Sequence, residues 1–376
     1  MYYVIDEVAC DKCGLWENST SGALRKAGIF GRGSGRNGLF ILGDFLYTDD
    51  IRLGMPFAGK SGELLGSVLR EVGINEHDSY ITNVLKCRGM AKISVDQTRF
   101  CLDNNKHDTP KEAPRLLVLL GLTALKTVTG LQKITDRRGI LFDAEWQGQK
   151  VKVVTTYHPN AVLRQPKLYD VFKEDFRKVR DYLENVNYQD LPEIRKEYIN
   201  SESRFFHWMH YLRDHPEIEI TVDLETTGLS FKKDKIICMA LVFEGPDGIV
   251  GITFLTAPKV GWWHADFGNS KIMELLVDVF YGRKAVFQNG DFDTKMLWSH
   301  GIYVENGFDT LDAHLLIDEN LPHGLKFLVT QYLPSEAGYQ HKINDQIGTK
   351  GAYNSLPTEG LLDYNLCDTF HTHVLS

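Results

Sequence analysis

Four short apolar runs, Leu39–Gly43, 80–85, Leu116–Leu120 and 151–155, restrict the fold of the first half of this chain more than anything else in it. Each run is mainly apolar at successive positions, which suits a strand covered on both faces rather than one with a wet side. Between and after them lie helix-periodic stretches, one over 62–72 with Leu64, Leu65, Val68, Leu69 and Val72 on one face, and one over 172–183. Strand alternating with helix implies an α/β domain with a mostly parallel sheet. Periodicity is lost over 184–192, where turn formers collect, so a domain boundary falls there and gives domains 1–188 and 189–376. The second part reads as a helix over 202–214, strands over 218–224, 237–243 and 285–288, then helices around Met296, 313–317, 325–332 and 358–374.

Composition narrows the function classes. The chain has 376 residues, 43 % apolar and 24 % charged, which excludes disordered, collagen-like and disulfide-scaffold classes. No apolar run approaches the roughly 20 residues of a membrane span, and the first ten residues carry Asp6 and Glu7 without a secretory pattern. A soluble intracellular chain is expected. The net charge of -8 divides unevenly: residues 1–190 carry 27 Lys and Arg against 24 Asp and Glu, a net of +3, whereas 191–376 carry 15 against 26, a net of -11. A mildly basic module suits a polyanion, and a strongly acidic one suits cations held by carboxylates. The segment Gly54-Met-Pro-Phe-Ala-Gly59-Lys60-Ser61 spells a phosphate loop, yet the preceding strand ends near Gly43 and Pro56 lacks an N–H, so nucleotide binding is not expected there.

Cys10-Asp-Lys-Cys13, Cys87 and Cys101 supply four thiols, enough for zinc or an iron-sulfur cluster, and spacing alone does not separate the two. Cys238 and Cys367 lie in apolar segments and read as core. With Ile41-Leu-Gly-Asp44, Gly54 to Gly62, Tyr80-Ile-Thr-Asn83 to Cys87-Arg88, Leu116 to Gly121 and Tyr157-His158-Pro159 to Arg164, the first half resembles the family 4 uracil-DNA glycosylases. The resemblance implies a four-stranded parallel sheet and a [4Fe-4S] cluster on the four cysteines. It also implies a base-flipping pocket in which Phe57 stacks on uracil, Asn83 reads its pairing edge, His158 faces the carbonyl and Asp44 supplies a carboxylate; Arg88 and Arg164 would contact DNA. This chain departs from the family motif Gly-Glu-Ala-Pro-Gly, having Gly43-Asp44-Phe45-Leu46-Tyr47, so bulky rings stand where small residues are usual.

In the second half, Asp223-Leu-Glu225 closes an apolar strand, and alternation puts both carboxylates on one face. Asp293 follows the strand at 285–288, and Tyr364 and Asp368 share a helix face at i and i+4. Four carboxylates from three segments suit two divalent ions in phosphodiester cleavage. The set resembles the DEDD 3'-5' exonucleases, with Asp223, Glu225, Asp293 and Asp368 as ligands of two Mg2+ or Mn2+. Tyr364 marks the tyrosine subclass, since position 363, histidine in the other subclass, is Asp. That implies a ribonuclease H-like (DnaQ-like) α/β domain like the proofreading domain of family A DNA polymerases.

A glycosylase-like module ahead of such an exonuclease resembles the N-terminal portion of polymerases of large bacteriophages. The expected substrates are single-stranded DNA and primer-template 3' ends, and the expected location is the cytoplasm of an infected bacterium. A polymerase domain is expected C-terminal to this chain or in trans. The first module would sense bases or excise uracil; a non-catalytic DNA- or partner-binding role in a replisome is the further alternative.

Overall fold

The computed structural model describes residues 29–87, 93–104, 110, 113–135, 137–186, 191–339 and 357–376. The chain divides into two compact units, Met1–Asn187 and Tyr188–Ser376.

The first unit runs β1 (Leu39–Gly43), α1 (Thr48–Leu53), α2 (Lys60–Glu71), β2 (Tyr80–Asn83), α3 (Val95–Asn104), β3 (Leu116–Leu120), α4 (Leu122–Thr129), β4 (Leu141–Trp146), β5 (Gln149–Thr156), α5 (Pro159–Arg164) and α6 (Tyr169–Leu183). Its sheet has the order β2-β1-β3-β5-β4. The first four strands in that order are mutually parallel, and β4 is antiparallel to β5. Alternate residues serve two cores: Leu39, Ile41, Leu116 and Val118 pack with α2 and α6, while Phe40, Leu42, Leu117 and Leu119 pack on the opposite face. Every residue of β1 and β3 is buried, and each such aliphatic side chain contributes roughly 1.5–3 kcal/mol.

The expected four-stranded parallel sheet is thus corrected to a five-stranded mixed one. β4 lies at the sheet edge and alternates between exposed and half-buried residues as far as the buried Trp146, so it has no apolar run to betray it. A two-residue turn, Gln147-Gly148, makes the hairpin, with φ of 50° and 80° as the twist of tight hairpins demands. The phosphate-loop look-alike does not leave a strand: α1 intervenes after β1, and Gly59 merely caps α2.

The second unit runs β6 (Ile194–Tyr198), α7 (Glu202–Asp214), β7 (Ile220–Thr226), β8 (Ile236–Gly245), β9 (Gly248–Leu255), α8 (Ser270–Phe280), β10 (Lys284–Phe287), α9 (Asp291–Ser299), β11 (Glu305–Asp309), α10 (Thr310–Ile317), α11 (Leu325–Tyr332) and α12 (Thr358–Leu375). The sheet order is β11-β10-β7-β8-β9-β6, with β7, β8 and β9 an antiparallel meander and β10, β11 and β6 added in parallel. One face carries the larger core, built on Phe205, Trp208, Val222, Leu224, Phe243 and Phe254. The other is covered by α12, through Leu361, Leu362, Leu366 and Phe370. Sequence periodicity missed β6, β9, β11 and α8. At Gly251 in β9, a side chain would run into Ile194 and Leu366, so this glycine lets the edge strand and α12 close in. No helix among the described residues is long and apolar enough to cross a membrane.

Candidate functional site

In the second unit Asp223 and Glu225 project from one face of β7, while Val222 and Leu224 enter the larger core. Asp293 stands in the first turn of α9, entered through Asn289, whose φ is 59°, and Gly290. Asp309 holds that entry: its two oxygens accept the Asn289 and Gly290 backbone N–H groups at 2.9 and 2.7 Å, and it caps α10 through Leu311 N at 2.9 Å. Asp368 and Tyr364 sit one turn apart on α12. The structure thus brings the four sequence-derived acids together.

Their electrostatics show how close they are. Asp223 is held well above the usual carboxylate range, first by burial and then by the charges of Asp293, Glu225 and Asp368. Burial, with Asp368 and Asp293, pushes Glu225 to about 8. Asp293 rises to about 7, chiefly by burial, against the Leu224 amide that donates to it. No lysine or arginine is among the groups that set these three values. Buried like charges without a counter-ion are unfavourable, and hard oxygen donors in this number suit Mg2+ or Mn2+. The donor set fits divalent cations, although among the described residues no group of three such side chains already stands in a preformed metal shell. Neutral donors occupy part of it instead: Asn365 Nδ2 donates to Asp223 Oδ2 at 2.7 Å, and the Tyr339 hydroxyl donates to Asp368 Oδ1. Sequence reasoning missed Asn365 and Tyr339, since neither belongs to the acidic pattern.

In the first unit Asp44, Phe57, Asn83 and His158 collect around the C-terminal ends of β1, β2 and β5. Phe57 takes a left-handed φ of 55°, and its ring stacks on His158 with centroids 5.7 Å apart and planes 23° apart. Asp50, 2 % exposed, ties the segment down by accepting Tyr47 N and Ala58 N, both at 2.8 Å. Gly43 admits the cluster, because a Cβ there would run into Asn83 Oδ1 and the Phe57 ring. His158 accepts Asn160 N at its Nδ1, 3.2 Å away, and burial, helped by the Arg164 charge, pushes it down to about 4. Asn83 Oδ1 and His158 Nε2 are buried without a hydrogen-bond partner. Two orphaned polar atoms beside a stacked ring form a cradle for a planar polar ligand.

Asp44, just past the end of β1, also serves a neighbouring helix. Its Oδ1 accepts Ala124 N at 2.9 Å, and Thr123 also donates, so the carboxylate caps α4. Burial still raises it to about 6. A side chain at Gly121 would come within 2.6 Å of Asp44, so glycine is required there. Of the departing residues, Tyr47 places its ring 5.7 Å from the His158 ring and 5.0 Å from Phe45, which itself packs on the opposite core. Arg164 is exposed at the end of α5. Cys87 and Cys101 belong to the same apolar cluster; Cys10, Cys13 and Arg88 lie outside the described residues.

These two sites define an α/β domain with a polar, aromatic-walled cradle followed by an α/β domain centred on four carboxylates. Comparison with known proteins agrees: the uracil DNA glycosylase superfamily matches residues 30–184, and the 3'-5' exonuclease family of DNA polymerase A type matches residues 197–375. The type-4 uracil-DNA glycosylase of Archaeoglobus fulgidus is 31 % identical over 179 residues, 46 % of this chain and 87 % of that protein. A DNA polymerase of Bacillus phage SP01 is 28 % identical over 202 residues, 52 % of this chain but 21 % of the polymerase. Among solved structures, Brucella melitensis NrnC with bound Mg2+ aligns over 49 % of this chain and 78 % of its own, at 18 % identity and a TM-score of 0.32. The chain belongs, through its first unit, to the type-4 uracil-DNA glycosylase family, and its second unit is a 3'-5' exonuclease domain of the family A polymerase type.

Proposed function

We propose that the second unit removes nucleotides from DNA 3' ends by phosphodiester hydrolysis and that the first unit binds an unstacked base without excising it. The observation that carries the nuclease reading is the set Asp223, Glu225, Asp293 and Asp368, in which the charges of the other three raise Asp223 and those of Asp368 and Asp293 raise Glu225, with no lysine or arginine among the groups that set these values. Two divalent ions, when bound by these acids, supply an activated water and stabilise the leaving oxygen. The chain's own part is to hold the four carboxylates at fixed positions on β7, α9 and α12, and to place the Tyr364 hydroxyl one helical turn from Asp368 to orient the attacking water. Asp309 keeps Asp293 in register by fixing the turn that precedes it.

The non-excising reading of the first unit rests on Asp44. Excision needs a carboxylate free to assist water or the developing sugar cation, and this one is committed to the first turn of α4. Asn83 and His158 keep the polar atoms that recognise a base. A neutral His158 is suited to donate one hydrogen bond to a carbonyl from Nε2 while Nδ1 accepts from Asn160. The cluster on Cys10, Cys13, Cys87 and Cys101 is proposed as [4Fe-4S], with a structural role.

Release of mononucleotides from a labelled single strand in Mg2+ tests the nuclease reading. Asp223→Ala and Glu225→Ala are each expected to lower the rate on the order of a thousandfold or more, as loss of a member of a catalytic set does. Undiminished release by either variant would refute the assignment.

A further inference from the structure

Asp223, Ala240 and Thr253 lie in one row across the second sheet, since Asp223 pairs with Ala240 on β8 and Ala240 with Thr253 on β9. Opposed residues on neighbouring strands project to the same face. Ala240 is fully buried and ends at its Cβ, which leaves a gap between the two polar side chains. Asn365, fully buried on α12, fills it. Its Nδ2 donates to Asp223 Oδ2 at 2.7 Å and to the Asp223 backbone carbonyl at 3.1 Å, and its Oδ1 accepts Thr253 Oγ1 at 3.2 Å.

The orientation of this amide follows from the chemistry. The Asp223 backbone carbonyl can only accept, so the amide nitrogen that reaches it at 3.1 Å must be the NH2 end of Asn365, and the carbonyl end is left for a donor. Thr253 supplies that donor with its hydroxyl. Valine, of the same shape, would leave the amide oxygen buried and unpaired. Because Nδ2 bridges side chain and backbone of the same residue, it fixes the Asp223 carboxylate against its own strand.

We propose that Asn365, oriented by Thr253, is the positioning residue that fixes the Asp223 carboxylate and leaves its Oδ1 to a divalent cation. This rests on the reading of Asp223 as a cation ligand. Partners that hydrogen-bond a ligating carboxylate typically govern metal affinity by 10- to 100-fold, so Asn365 is expected to act on metal uptake more than on the chemical step.

The test is calorimetric titration of Mn2+ into the full chain, paired with the Mn2+ dependence of nucleotide release. Asn365→Ala should weaken Mn2+ binding about tenfold or more and raise the half-maximal Mn2+ concentration in step, while kcat at saturating Mn2+ stays within about threefold. Thr253→Val, nearly isosteric and expected to fold, should shift both quantities the same way by about threefold, and it decides the matter alone if Asn365→Ala does not fold. Both variants binding Mn2+ as the unaltered chain does, while Asp223→Ala loses it, would overturn the positioning role and spare the carboxylate reading. An unaltered chain that takes up no Mn2+ would overturn both.

Discussion

His158 and Asp44 titrate in opposite directions within one unit. Burial holds His158 neutral down to about 4, whereas an unfolded histidine takes up its proton near 6.5. Between those values the unfolded chain binds the extra proton, so the stability tied to His158 is full above pH 6.5 and lost as pH falls toward 4, by about 3 kcal/mol. Asp44 is raised to about 6, so its folded form keeps a proton the unfolded chain has released, and its contribution is lost as pH rises through 6. The two slopes offset each other in the unaltered chain. His158→Gln removes one of them: relative to the unaltered chain, the variant should gain up to about 3 kcal/mol between pH 7 and pH 4. Hydrogen exchange of first-unit peptides at the two pH values reads this difference, and a gap between variant and parent that does not change with pH would contradict it.

At the level of the element, what the sequence discloses depends on where a strand lies. The central strands β1 and β3 are covered on both faces, so their apolar runs announce them. The edge strands β4, β6 and β11 have an exposed side and carry charged residues, and their pattern is that of loops. In β9, Gly248 and Gly251 break the strand signal although six of its eight residues are buried. The acids were readable because chemistry dictates their type and spacing. Asn365 was not, because its partners Asp223 and Thr253 lie 142 and 112 residues away in sequence and meet only through strand pairing. Gly43, the last residue of β1, carries an element-scale prediction. A methyl group there would press on Asn83 and Phe57, so Gly43→Ala should destabilise the first unit by about 1–3 kcal/mol, the usual range for overpacking. A urea midpoint equal to that of the unaltered chain would show that the cradle has room to spare.

For the whole molecule, the division of charge takes on a meaning that the net -8 conceals. On the proposed reading, the second half, at -11, contains the four acids that cations would neutralise before DNA approaches, while the first, at +3, would offer the milder surface for a phosphate backbone. In the proposed reading, a base-binding unit that does not excise suits a unit that trims 3' ends, since abasic sites left by excision would spoil the strand. The most direct test of the account is digestion of two single strands, identical except for uracil in place of thymine, by the purified full chain in Mg2+, with released nucleotides and free bases analysed separately. Stepwise loss of nucleotides from the 3' end of both strands with no free uracil is the predicted result; no 3' shortening, or uracil set free from an otherwise intact strand, would contradict it.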